Sequence, residues 1–137
     1  MILPTVQYMI LCDDVLPDPQ RPRKMMIVGL TTLVKWPEGE TKPMRLDKLV
    51  ASLILLDGHG EGKAKLVCVN DETGMPVWST PETTVSFVGK NPSLPHAAKL
   101  TVLDCRFPTP GIYIVQFHLD GAVLARQTLI VREIHDQ

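Results

Sequence analysis

The stretch FPTPGIYIVQFHLDGAVLAR, Phe107 to Arg126, decides how this chain is to be read. Two apolar alternations flank Asp120-Gly121, and Asp-Gly between such runs signals a β-hairpin. Loop length then sets which side chains share a face. A two-residue loop puts Leu119 opposite Ala122 and gathers Tyr113, Val115 and Phe117 with Leu124, Arg126 and Thr128, which drives a charge into the core. A three-residue loop, Leu119-Asp120-Gly121, puts His118 opposite Ala122. Tyr113, Val115 and Phe117 then join Val123, Ala125 and Gln127, with Leu129 and Val131 beyond, and only Gln127 is polar in that set. The sequence therefore predicts the longer loop, a type I turn with Gly121 left-handed in a bulge. His118 is then turned away from the core. An imidazole there could serve acid–base chemistry, but a single histidine without a partner carboxylate reads as a solvated strand residue. Upstream, Phe107 to Tyr113 fits a corner: the prolines block pairing, Gly111 permits the bend and Tyr113 anchors the strand that follows.

The same texture runs through the rest of the chain. Twelve prolines and nine glycines punctuate an apolar content of 45%, which favours many short strands over helices. Strands are predicted over residues 5–12, 25–36, 49–56, 63–70, 75–80, 83–89 and 98–105, followed by the hairpin. Residues 13–24, 37–48 and 90–97 read as loops, being rich in proline and charge. In the first strand Val6, Tyr8, Ile10 and Cys12 share one face and Thr5, Gln7, Met9 and Leu11 the other. Both faces turn apolar towards its end, so this strand is expected to be central or covered outside. In the second, Met26, Val28, Leu30, Thr32, Val34 and Trp36 are expected inward. Tyr8, Trp36, Trp78, Phe107, Tyr113 and Phe117 are the aromatic candidates for packing between layers. The expectation is one all-β domain over residues 1–137, a two-sheet antiparallel β-sandwich of about eight strands.

Charge excludes more than it suggests. Fourteen Lys and Arg against fifteen Asp and Glu leave a net charge of −1, no overall field for nucleic acid or an anionic membrane. The one basic cluster, Arg21-Pro22-Arg23-Lys24, is expected to form a salt-bridged turn with Asp13, Asp14 and Asp18. Two Trp, two Tyr and three Phe offer few stacking platforms. The opening MILPTVQYMILCDDV lacks the basic leader and small-residue cleavage site of a signal peptide, and no apolar run reaches membrane-spanning length. Three cysteines without C-x-x-C spacing agree with the expected cytoplasmic setting.

Local motifs for chemistry fail in turn. Asp57-Gly-His-Gly-Glu-Gly-Lys-Ala64 lacks the first glycine and final hydroxyl of a phosphate loop, and strand rather than helix follows it, so it reads as a hairpin loop. Asp13, Asp14, Asp57, Asp71, Glu72 and Asp104 fall at predicted strand ends, where calcium-binding sandwiches gather oxygen ligands. No D-x-D spacing supports them, and turn formation explains them more simply. Cys12, Cys68 and Cys105 and the histidines His59, His96, His118 and His135 show no zinc spacing, and no G-x-S-x-G elbow occurs.

Three segments, ILPTVQYMILCDDV (2–15), VGL (28–30) and DCRFPTPGIYIVQFHLDG (104–121), resemble an uncharacterised bacterial family classed as a domain of unknown function; the middle, including DETGMPVW, matches more loosely. The resemblance implies a small immunoglobulin-like β-sandwich and brings no activity, cofactor, substrate or site residue with it. The resulting expectation is a non-catalytic protein-interaction or assembly module, with no cofactor, nucleic acid or membrane partner. A homodimer through a sheet face or edge is expected, because the second apolar faces of 5–12 and 49–56 need covering. The rival is a small-ligand or calcium-binding sandwich using Asp13, Asp14, Asp57, Asp71 and Asp104.

Overall fold

Alternation becomes strand almost everywhere in the computed structural model, which describes residues 1–21 and 23–134. Ten strands and no helix are found among them: β1 (Thr5–Pro17), β2 (Met25–Leu30), β3 (Leu33–Lys35), β4 (Met44–Leu56), β5 (Glu61–Asn70), β6 (Pro76–Ser79), β7 (Thr83–Ser86), β8 (His96–Phe107), β9 (Gly111–Leu119) and β10 (Ala122–Arg132). They form a four-stranded sheet ordered β2-β1-β4-β8 and a second sheet ordered β3-β10-β9-β5-β6, with β7 also on β5. The core between the sheets draws Met9, Leu11, Leu49, Leu53 and Val102 from one, and Leu66, Cys68, Val115, Phe117 and Leu129 from the other.

The all-β, two-layer expectation holds, and the details correct it. There are ten strands rather than about eight, because the apolar run 25–36 is not one strand. It breaks at Thr31-Thr32: β2 stays with β1, while β3 crosses to the other sheet and lies parallel to β10, pairing Val34 with Val131. That second sheet is thus mixed rather than purely antiparallel. Val34 and Trp36 are buried as read, and the Trp36 indole donates to the Glu40 carbonyl. Met26, Val28 and Leu30 are not; they are exposed, since β2 is an edge strand. Tyr8 is also exposed, whereas Phe87, which the pattern did not single out, packs in the core with its ring 5.1 Å from His96.

All three predicted loops begin or end as strand, 90–97 giving up its last two residues to β8. β1 runs on through Asp13, Asp14 and Pro17, and β4 starts at Met44. Asp14 is tolerated within the ladder because two lysines neutralise it; Pro17 closes the strand, where a missing N–H costs least. Gly29, opposite Asp13 in β2, has φ +67, and a Cβ there would run into the Asp13 carboxylate. Glycine is required at that position.

The hairpin turn is also corrected. Leu119 pairs with Ala122, so the loop has two residues, Asp120 and Gly121, both at positive φ (48 and 82). This is the twist-matched turn that Asp-Gly favours. The face assignment survives through a bulge between Val123 and Ala125, which shifts the register so that Phe117, Val115 and Tyr113 pair with Ala125, Gln127 and Leu129. Arg126 is kept out of the core opposite Gln116, and the Gln127 amide donates to the Met9 carbonyl in the opposing sheet at 2.9 Å. Asp120 further ties the turn to β5 by accepting from the Lys63 N–H at 2.8 Å.

Candidate interaction face

The outer face of the four-stranded sheet is where the second apolar faces of β1 and β4 come to lie. The ladder pairs Tyr8 with Ile54, Ile10 with Ser52 and Cys12 with Val50, all turned away from the main core. Cys12, Val15 and Val50 form a small separate apolar cluster there. A polar bracket spans the same face. Asp14 of β1 accepts from Lys48 of β4 at 2.9 Å and from Lys99 of β8 at 3.1 Å, and its Oδ1 also takes the Val15 N–H. The Lys48 and Lys99 contacts hold the Asp14 carboxyl well below the usual carboxylate range.

Beside this bracket the sheet face and the β1–β2 connection enclose a groove of about 500 Å³. Tyr8, Ile54 and Ala97 lie on the sheet side, Met25 and Ile27 on the β2 side, and Arg23, Lys24 and Lys99 bring cations to it. The basic cluster is therefore only partly the salt-bridged turn expected: Arg21 pairs with Asp18 at 3.3 Å, while Arg23 and Lys24 have no ion pair among the described residues.

Both edges of this sheet are open, and they differ. β8 is guarded: Lys99 and Arg106 lie along it, and Asp104 adopts φ +58 and binds Arg45 and Arg106. β2 carries no charge from Met25 to Leu30, and all six of its residues are exposed. The other sheet ends in strands of three and four residues.

The acidic candidates do not converge. Asp14 is engaged by lysines, Asp104 by arginines, and Asp13 lies against Gly29. Asp57 occupies the β4–β5 turn at φ 63, and Asp71 follows β5, its N–H bonded to the Ile112 carbonyl. Among the described residues no three His, Cys, Asp or Glu side chains form a metal-sized group. The 57–64 segment is no phosphate loop: residues 57–60 form the β4–β5 hairpin loop, with His59 bridged to Ile2, and residues 61–64 already belong to β5. His118 does point off the core, where it meets Gln116 at 2.9 Å; burial, then Lys65 and Arg126, push its pKa down. His96 is lowered too, by burial and then Lys90. His135 lies outside the described residues. Cys68 and Cys105 are buried free thiols pushed up to about 12, chiefly by burial, far from the thiolate a nucleophile needs. Among the described residues no helix is long and apolar enough to cross a membrane.

Fold and site together define a two-layer β protein whose distinctive surface is an apolar sheet face with one unguarded edge. The chain belongs to a family of unknown function, DUF6941, whose model matches residues 7–132. No curated protein matches it. Among solved structures it is similar to the Pseudomonas fluorescens alkylpurine DNA glycosylase AlkC bound to DNA containing an abasic site analog, at 10% identity and TM-score 0.46, over 90% of this chain and 30% of that one. It is also similar to a putative lipoprotein from Bacillus anthracis, at 15% identity and TM-score 0.35, over 67% of this chain and 73% of that one. The chain thus spans about a third of the glycosylase chain, and likenesses this distant carry no function across.

Proposed function

We propose that this protein is a non-catalytic assembly module of the bacterial cytoplasm, with an immunoglobulin-like sandwich as scaffold, that forms a homodimer through the β2 edge. The observation that carries the reading is β2 itself: six exposed residues, no charge and no proline, on an open edge. Folded proteins blunt such edges unless a strand is meant to pair there, and β8 shows that this chain has the means to do so. A second copy suits the edge. Antiparallel pairing about a two-fold within Met25–Val28 carries each Lys24 towards the uncharged end of the other β2, whereas parallel pairing would set Lys24 beside Lys24. The immunoglobulin-like reading is supported by Tyr113, near the start of β9, whose hydroxyl donates to the Thr109 carbonyl at 2.6 Å across the corner between the sheets. That is the tyrosine-corner device of such sandwiches. The three free buried thiols suit a reducing compartment.

Light scattering on the full chain tests the dimer. A dimer mass at micromolar concentration that falls to a monomer in Ile27→Lys and in Val28→Lys, with the unfolding midpoint retained, is the expected result. A monomer in the unmodified protein, or a dimer that tolerates both lysines, overturns the β2 contact.

A further inference from the structure

The groove on the outer face of the four-stranded sheet joins an apolar wall to a set of cations. Ser52, 7% exposed, lines it between Ile54 and Lys99. Around it the wall is apolar, through Tyr8, Ile54 and Met25. The positive groups stand at the mouth. Arg23 and Lys24 lack a carboxylate among the described residues, and the nearby acid, Asp14, already serves Lys48 and Lys99. An apolar trough with unpaired cations is complementary to one kind of molecule: an apolar chain ending in an oxyanion.

We propose that this groove binds a single amphiphilic anion, a free medium-chain carboxylate. The chain lies on Tyr8 and Ile54, the carboxylate is met by Arg23 and Lys24, and the Ser52 hydroxyl donates to it. Arg23 supplies the planar fork that a carboxylate accepts in two parallel bonds. A volume of about 500 Å³ falls within the range of small-molecule sites and favours one molecule taken in over a bilayer laid across the face. The polar groove on the other sheet, lined by Asn70, Gln116 and Arg126 among others, lacks the apolar wall.

Titration of the full chain with decanoate, below its micelle-forming concentration and followed by amide NMR, tests this. The expected result is saturable one-site binding with shifts centred on Ser52, Ile54 and Ala97. The double variant Arg23→Glu/Lys24→Glu, altered only at exposed loop positions, should weaken it about tenfold or more, since two charge-assisted bonds are reversed. Ala97→Phe, which fills the groove, should abolish it, with the unfolding midpoint confirming that the variant is folded. Equal binding of decanol or decyltrimethylammonium, shifts centred elsewhere, unweakened binding by the double variant, or capture by anionic vesicles without decanoate binding would each overturn the proposal. Val28→Lys, at a β2 position outside the groove lining, tests the dimer without touching the groove, and the double variant tests the groove with β2 intact, so the two readouts stay separate.

Discussion

Removing a single oxygen from Tyr113 probes how the corner between β8 and β9 is held. The ring is fully buried and packs 5.0 Å from Phe107, edge to face at 64°, so Tyr113→Phe leaves the packing in place. What goes is the donor to the Thr109 carbonyl at 2.6 Å. A hydrogen bond contributes about 1 kcal/mol net, and because Thr109 is exposed its carbonyl can turn to water, which keeps the loss near that value. Pro108 and Pro110 on either side offer no N–H to replace it. The expected destabilisation is therefore about 1 kcal/mol, equivalent to a fall of about 3–5 °C in Tm for a domain of this size. Tyr113→Ala, which also empties the ring's site, should cost about 3–5 kcal/mol. Urea unfolding of each variant gives the free energies, with an unchanged m-value as the sign that only stability moved. Thr109→Ala is the internal control: it keeps the accepting carbonyl and should be close to neutral. If Tyr113→Phe unfolds at the same urea concentration as the unmodified protein, the hydroxyl does not hold the corner and the reasoning fails.

Lys48→Met should raise the titration midpoint of the Asp14 carboxyl, read by carbon NMR, because Lys48 is the larger of its two lysine partners. Since folding lowers this carboxyl's pKa, its contribution to stability is present above the ordinary value of 3.8 and fades as pH falls below it; an unmoved midpoint in the variant would separate Asp14 from Lys48. Gly29→Ala should destabilise by about 1–3 kcal/mol through its left-handed backbone and the Asp13 contact, and pairing it with Asp13→Gly should restore part of that loss in a double-mutant cycle.

Much of the architecture was legible because period-two alternation and turn residues are local signals. Residues 49–56, 63–70 and the 107–126 hairpin sit where their patterns put them. The misreadings have non-local causes. Asp13 and Asp14 look like loop residues until Lys48 and Lys99, from two other strands, arrive beside Asp14. Met25 to Trp36 alternates without interruption, so nothing but a pair of threonines marks where the chain changes sheet. The hairpin's faces were right for the wrong turn: a bulge at Val123–Ala125 restores by local geometry what the two-residue loop would have reversed. Of the candidate face, the surplus apolar side of β1 and β4 was readable. The groove beside it was not, because Arg23 and Lys24 reach it only through the path of the β1–β2 connection.

The parallel pairing of β3 with β10 also sets an order of events. Leu33–Lys35 meets Ile130–Arg132 across about a hundred residues of chain, a separation that slows closure. During synthesis, β1, β2 and β4 can be laid down and zipped while β3 has no neighbour to accept it. β10, the last of the ten strands in chain order, is the one that shuts the second layer over Trp36. Deleting Ile130–Arg132 should thus leave a nascent chain whose first sheet has formed and whose indole at Trp36 is still wet.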